Sequence, residues 1–212
     1  MEEPKKLSSL ISLQEALPTT KWSETQSALS TALQQRGAMV VSRFGDDKSF
    51  MMKVNPSTQV AFGANPKAAL MGDYPTLQDL NTAYGRGFST EWLIPSLVNL
   101  SQHSGAKNLT QNQIIELANI ISTEYRHLKV TEILLFFYRF KNGCYGRFYG
   151  QVDPMVITCA FKEFMRERNV MLDKYYSEQQ EEREREESKK PTISYEEWLK
   201  IKKQREEQQS KT

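Results

Sequence analysis

The hydrophobic positions fall into three regimes along the 212 residues. The clearest is helical: Ile114, Leu117, Ala118, Ile121, Tyr125 and Leu128 form one continuous face at a period near 3.6, and Thr110-x-x-Gln113 ahead of them is a capping box. A face of that length has to pack against something. The run that follows, Ile133 to Tyr138, is unbroken apolar or aromatic and shows no period of its own. Thr131 before it and Asn142-Gly143 after it are helix start and stop signals, which favour a central helix buried on most sides over a strand. Asp153-Pro154 then supplies the N-cap and first position of another helix, with Ile157, Ala160, Phe161, Phe164, Met171, Leu172 and Tyr175 on one stripe. Arg168 lies on the same stripe, with Lys162 and Arg166 on its flanks, so this helix turns from core to basic edge partway along.

Earlier in the chain the pattern is weaker. Residues 24–36 carry Ala28, Leu29, Ala32 and Leu33 and end at Gly37, which predicts a short surface helix. From 38 to 87 no helical period persists. Ala38 to Val41, Phe50 to Val54 and Val60 to Phe62 are strand-length runs separated by Gly45-Asp46-Asp47-Lys48 and Asn55-Pro56-Ser57, which predicts a small β-hairpin or irregular layer laid over the helices. Thr90 can cap a helical segment containing Trp92, Leu93, Leu97, Val98 and Leu100, with Pro95 tolerated near its first turn.

The third regime begins after Tyr176, where Glu181 to Glu187 are charged in succession. Pairs such as Glu181 with Arg185 and Glu186 with Lys190, four apart, support a solvated helix, and Pro191 ends it. Ser194-x-x-Glu197 is a second capping box, and Tyr195, Trp198, Leu199 and Ile201 give the following segment one small apolar face. The expected fold is therefore mainly α: a compact helical core, the irregular or hairpin layer at about 38–87, and a charged helical C-terminal tail. The expected division is an N-terminal extension (1–37), one globular domain (38–176) and the tail (177–212).

Composition narrows the function more by exclusion than by pointing. A net charge of +2 is too mild to imply nucleic-acid binding by itself. His103 and His127 are the two histidines, and neither has a partner three or four positions on, so no metal site is expected. His127 is better placed as a C-terminal dipole partner of its helix. Cys144 and Cys159 lie fifteen apart and form no C-x-x-C, which predicts free thiols rather than a disulfide framework. Gly45-Asp46-Asp47-Lys48-Ser49 lacks the second glycine of a phosphate loop and sets two carboxylates where phosphate charge would lie, so a turn is expected there. There is no nucleophile elbow, no dinucleotide fingerprint and no run long enough for a membrane span. The expectation is a cytoplasmic protein that is not an enzyme and needs no cofactor.

One stretch combines aromatic faces with one-signed charge. From Arg139 to Gly150 the chain reads Arg-Phe-Lys-Asn-Gly-Cys-Tyr-Gly-Arg-Phe-Tyr-Gly. Tyr145, Phe148 and Tyr149 offer rings, Arg139, Lys141 and Arg147 offer cations, and the glycines permit sharp turns. Stacking with phosphate neutralisation is what single-stranded nucleic acid binding requires. The competing reading is that the rings plug the gap between two packed helices.

The residues from Thr131-Glu132-Ile133 through Phe136-Phe137, Gly143, Tyr145-Gly146-Arg147-Phe148-Tyr149-Gly150 and Asp153-Pro154 to Arg166-Glu167-Arg168 resemble the pattern of an uncharacterised family of Bacteroides-type bacterial and mobile-element proteins. In outline, a compact helical protein with a charged tail is also similar to phage helicase loaders and replisome accessory proteins. The basic aromatic loop leads to the main expectation, a non-enzymatic accessory protein that binds single-stranded nucleic acid or a replication protein. Its contact surface would be Arg139, Lys141, Tyr145, Arg147, Phe148 and Tyr149 with the edge formed by Lys162, Arg166 and Arg168. The alternatives are a protein–protein adaptor that docks through Tyr195, Trp198, Leu199 and Ile201, as amphipathic segments do, and a purely structural helical scaffold.

Overall fold

The structure, a computed structural model, describes residues 19–103, 108–146, 153–189, 198–200 and 202–203, with side chains from Ser27 onward. In chain order it contains α1 (Thr19–Phe44), α2 (Asp47–Lys53), a 3-10 turn (Pro56–Thr58), α3 (Gln59–Ala64), α4 (Pro66–Met71) and α5 (Leu77–Tyr84). These are followed by α6 (Phe88–His103), α7 (Gln111–Glu124), α8 (Val130–Lys141) and α9 (Pro154–Lys189). The fold is mainly α. Among the described residues there is no strand, and the β contact present is an isolated bridge between Thr76 and Lys129. These residues form two compact units that divide between Arg166 and Glu167.

The first unit is assembled around α8. Nine of its twelve residues are buried, which explains why its sequence shows no period: a helix enclosed on all sides has no polar face to mark one. Its Phe136 ring packs at 3.8 Å, centroid to centroid, from Phe161 on α9 and at 5.6 Å from Phe164. On the α7 side, the face read from the sequence is buried at Ile114, Leu117, Ala118 and Ile121, but the helix stops at Glu124: Tyr125 is its C-cap and Leu128 lies in the turn beyond, so the expected continuation of the helical face to Leu128 is corrected. The Thr110 capping box is formed, with the Gln113 amide N–H donating to the Thr110 hydroxyl and the Gln113 side chain accepting from the Thr110 amide.

The turn between α7 and α8 satisfies helix ends from elsewhere in the chain. The first amides of α5, Leu77 and Gln78, donate to the carbonyls of Leu128 (3.0 Å) and Arg126 (2.9 Å). Lys129 Nζ donates to the carbonyls of Leu70 and Gly72 at the end of α4, where a cation also meets the negative end of the helix dipole. Thr131 Oγ1 donates to Ala69 O at 2.7 Å. His127 falls in this turn, beyond the end of α7, and is exposed, so the helix-terminal role expected of it does not apply.

The stretch from 38 to 87, for which a hairpin or an irregular layer was expected, is a succession of short helices. Each of α2 to α5 spans six to eight residues, barely two turns, so a helical period cannot accumulate before the next break. The stretches read as turns, 45–48 and 55–57, carry helix caps, and so do the two breaks that follow. Asp46 accepts from the Ser49 amide, Asn55 from that of Ser57 and Asn65 from that of Ala68, and Thr76 with Asp79 forms a capping box. In the weak phosphate-loop look-alike, the Asp46 carboxylate occupies the helix N-terminus itself.

Two further expectations are corrected. Gly37 does not stop a helix: α1 runs through it to Phe44, and Gly37 is buried at a crossing where an added Cβ would lie 3.1 Å from Thr82 Cγ2 on α5. The glycine serves close approach between helices instead of termination. Thr90 is not the cap of α6, which starts at Phe88 out of a turn built on the positive φ angles of Gly85 and Gly87. Asn81 Oδ1 accepts from the Ser89 amide at this end, and Pro95 lies inside the helix on its exposed side.

In the second unit, Met171, Leu172 and Tyr175 of α9 are half-buried, while Val170 and Tyr176 are exposed. Ion pairs four residues apart run along it, Lys174–Glu178 at 3.9 Å and Arg185–Glu181 at 3.7 Å. Lys190 and Pro191 lie outside the described residues.

Candidate functional site

The basic aromatic stretch begins in the last turn of α8, and the structure closes that turn as a Schellman motif. Gly143, with φ +73°, donates its amide to Phe140 O at 3.0 Å, and Cys144 donates to Arg139 O at 3.1 Å. Asn142-Gly143 is thus the stop that the sequence predicts. Gly146, at φ +99°, returns a hydrogen bond to Gly143 O, leaving Cys144 and Tyr145 as the central residues of a tight turn.

Lys141 does not face outward. Its ammonium donates to Gln59 Oε1 at 2.7 Å and to Asn99 Oδ1, joining α8 to α3 and α6. Burial of this amine lowers its pKa from the ordinary lysine value. Tyr145 also turns inward: its ring stacks on Phe136 with centroids 5.7 Å apart and an interplanar angle of 23°, and it tilts against Phe140 at 6.4 Å. Arg139 is half-buried. Two of the residues expected to contact a ligand are thus half-buried and engaged by the helical unit, Lys141 with α3 and α6 and Tyr145 with α8. Arg147, Phe148 and Tyr149 lie outside the described residues.

On the proposed basic edge, Lys162 and Arg166 are exposed, and Arg166 pairs with Glu163 at 2.9 Å. Arg168 belongs to the second unit, is half-buried and donates to Asn169 Oδ1 at 3.3 Å. In the tail, Trp198 is 49% exposed with Lys202 Nζ 5.3 Å from its ring centroid, and Leu199 is half-buried. Tyr195 and Ile201 fall outside the described residues.

The structure also forms a feature that the sequence does not advertise. A hollow of about 560 Å³ opens beside the Cys144 turn, and its walls include Cys144, Tyr145, Asp153, Val156, Cys159 and Glu163. Both thiols are exposed. Asp153 is engaged as the cap of α9, accepting from the Val156 amide at 2.8 Å, and Glu163 holds Arg166. The described wall of this hollow thus carries thiols and carboxylates but no cation. The available sign was the pair of glycines bracketing Cys144, since a turn there can bring position 144 back over the start of the next helix.

A second hollow of about 330 Å³ lies between α1 and the Asp73–Thr76 segment. Its cations are already engaged: Arg43 stacks on Phe44 and Tyr74 and pairs with Asp73, Arg36 lies 3.9 Å from Asp79, and Lys129 caps α4. Among the described residues no cluster of three or more His, Cys, Asp or Glu could hold a metal ion, and no described helix is long and apolar enough to cross a membrane.

Together the fold and these surfaces define a helical domain with a charged helical extension. Residues 109–209 match the model of a family of unknown function, DUF6633, in keeping with the resemblance to an uncharacterised family. The matched span opens just ahead of α7 and continues through α8 and α9 past Trp198. No curated protein and no solved structure matches the chain.

Proposed function

We propose that this protein is a non-catalytic protein–protein adaptor whose helical unit is a scaffold and whose charged tail carries the contact. The observation that supports this most is Trp198, a large aromatic residue about half exposed on a segment rich in charged side chains. Tryptophan is a dominant anchor residue at protein interfaces, and exposing one in water forgoes its burial. The family match, which takes in the tail as far as residue 209, supports treating that segment as part of the domain's design. The inward direction of Lys141 and Tyr145 removes two groups from the competing loop surface. The partner would present a hydrophobic groove with polar rims, suited to a short amphipathic helix.

The test compares the full-length protein with Trp198→Ala/Leu199→Ala and with a truncation removing residues 188–212, each used to recover partners from the native cell with and without nuclease. The expected result is a partner set that resists nuclease and is lost in both variants, with the melting temperature nearly unchanged. Partner recovery that survives the truncation overturns the reading.

A second reading keeps nucleic acid as the ligand. Exposure of Lys162 and Arg166 on α9 favours it. It requires a salt-dependent shift of labelled single-stranded DNA that weakens in Arg147→Ala and Tyr149→Ala with the fold intact. Absence of any shift at low salt ends that version.

A further inference from the structure

The chain has two cysteines, fifteen positions apart, and the fold brings both to the wall of one hollow with both side chains exposed. The path that brings them together is aromatic. Tyr145, next to Cys144, stacks on Phe136; Phe136 lies tilted against Phe161 with centroids 3.8 Å apart; and Phe161 is two positions after Cys159 on α9. Cys144 sits in a tight turn between Gly143 and Gly146, both with positive φ, whereas Cys159 is fixed in the second turn of a long helix. One thiol is therefore in a glycine-bracketed turn and the other on a long helix.

We propose that Cys144 and Cys159 are a redox-active pair that closes to an intramolecular disulfide across this hollow when the protein meets a hydroperoxide. In the first step one cysteine thiol gives its proton to solvent and the resulting thiolate attacks the distal peroxide oxygen. The O–O bond breaks, an S–O bond forms, and the leaving alkoxide or hydroxide takes a proton back from solvent and departs as alcohol or water, giving a sulfenic acid. In the second step the other thiol attacks that sulfur. The S–S bond forms, the S–O bond breaks, and water leaves, so two thiols have lost two electrons and the hydroperoxide has gained them. A closed disulfide sets the two Cα atoms about 5.5 Å apart, and the two cysteines line the same hollow. In a reducing compartment the bond would be transient, which suits a sensor more than a structural staple. This inference does not depend on whether the partner is protein or nucleic acid.

The test uses the reduced full-length protein, treated with hydrogen peroxide and followed by intact mass and by peptide mapping without reductant. The expected product is a monomer lighter by two hydrogens, with one crosslinked peptide joining Cys144 to Cys159, and restored by dithiothreitol. Cys144→Ser and Cys159→Ser, conservative changes at exposed positions whose folding is checked by circular dichroism, are each expected to stop at a sulfenic acid that dimedone traps. Oxygen addition at both cysteines of the wild type, at the same rates as in the single variants, overturns the proposal. So does crosslinking that occurs between molecules alone.

Discussion

The ammonium of Lys141 donates to the side-chain oxygen of Gln59, a residue 82 positions earlier in the chain, and that oxygen sits on a side chain only 3% exposed. A lysine that reads as part of a cationic loop is thereby a tie between three helices. Removing it leaves the Gln59 oxygen without this donor in a place water reaches poorly. Lys141→Ala is expected to destabilise by about 1–3 kcal/mol, whereas Lys162→Ala, at an exposed site, should fall within about 0.5 kcal/mol of wild type. Urea denaturation of the two variants distinguishes a structural lysine from a ligand-binding one.

Gly63 on α3 faces Tyr138 on α8 so closely that an added Cβ would overlap the tyrosine ring. Gly63→Ala should cost about 1–3 kcal/mol through overpacking. In a Tyr138→Ala background the same change should cost much less. A double-mutant cycle reads the coupling, and independent, additive effects would show that the two helices do not meet here.

Thr76 and Asp79 close the capping box of α5, the Asp79 carboxylate accepting from the Thr76 amide at 2.9 Å and from its hydroxyl at 2.8 Å. Thr76→Ala should lower stability by about 1 kcal/mol. The neighbouring Arg36–Asp79 pair is long, and the arginine side chain is 68% exposed, so Arg36→Ala should change stability by less than about 1 kcal/mol. Thermal melts of the two variants, run side by side, give the order.

The alkaline limb of the stability curve carries a signature of Tyr84. Burial first, and then the nearby Asp46 and Asp47, raise its phenol pKa above the ordinary value of 10.0, and its hydroxyl donates to Gly45 O at 3.1 Å. The unfolded chain ionises first, so the folded state binds more protons above pH 10.0 and stability falls as pH rises from there through the raised folded value. The stability of the wild type relative to Tyr84→Phe should be flat below about pH 10 and decline above it. A difference that grows with pH would contradict the assigned direction.

Much of the first unit is legible from local pattern. The α7 face as far as Ile121, the Thr110 capping box, the Asn142-Gly143 stop and the Ile157 to Phe164 stripe each rest on interactions within a few residues, and each appears in the structure where the pattern places it. Helices α2 to α5 were not legible as helices, because segments of six to eight residues carry strand-length apolar runs and their Asp and Asn caps look the same as turn residues. Gly37 misled for a related reason. A glycine that ends a helix and one that lets another helix approach are the same letter.

Sequence by itself determined that the chain is helical, that its apolar centre is the run from Ile133 to Phe140, and that a charged helical extension follows. These follow from periodicity, capping and charge spacing, which act between neighbours along the chain. Tertiary structure alone decided that Lys141 and Tyr145 face the core, that Lys129 closes the end of α4, and that Cys144 and Cys159 share a hollow. Each of those depends on a partner in another helix, and the direction of a side chain is set by where its helix docks, which no local spacing encodes.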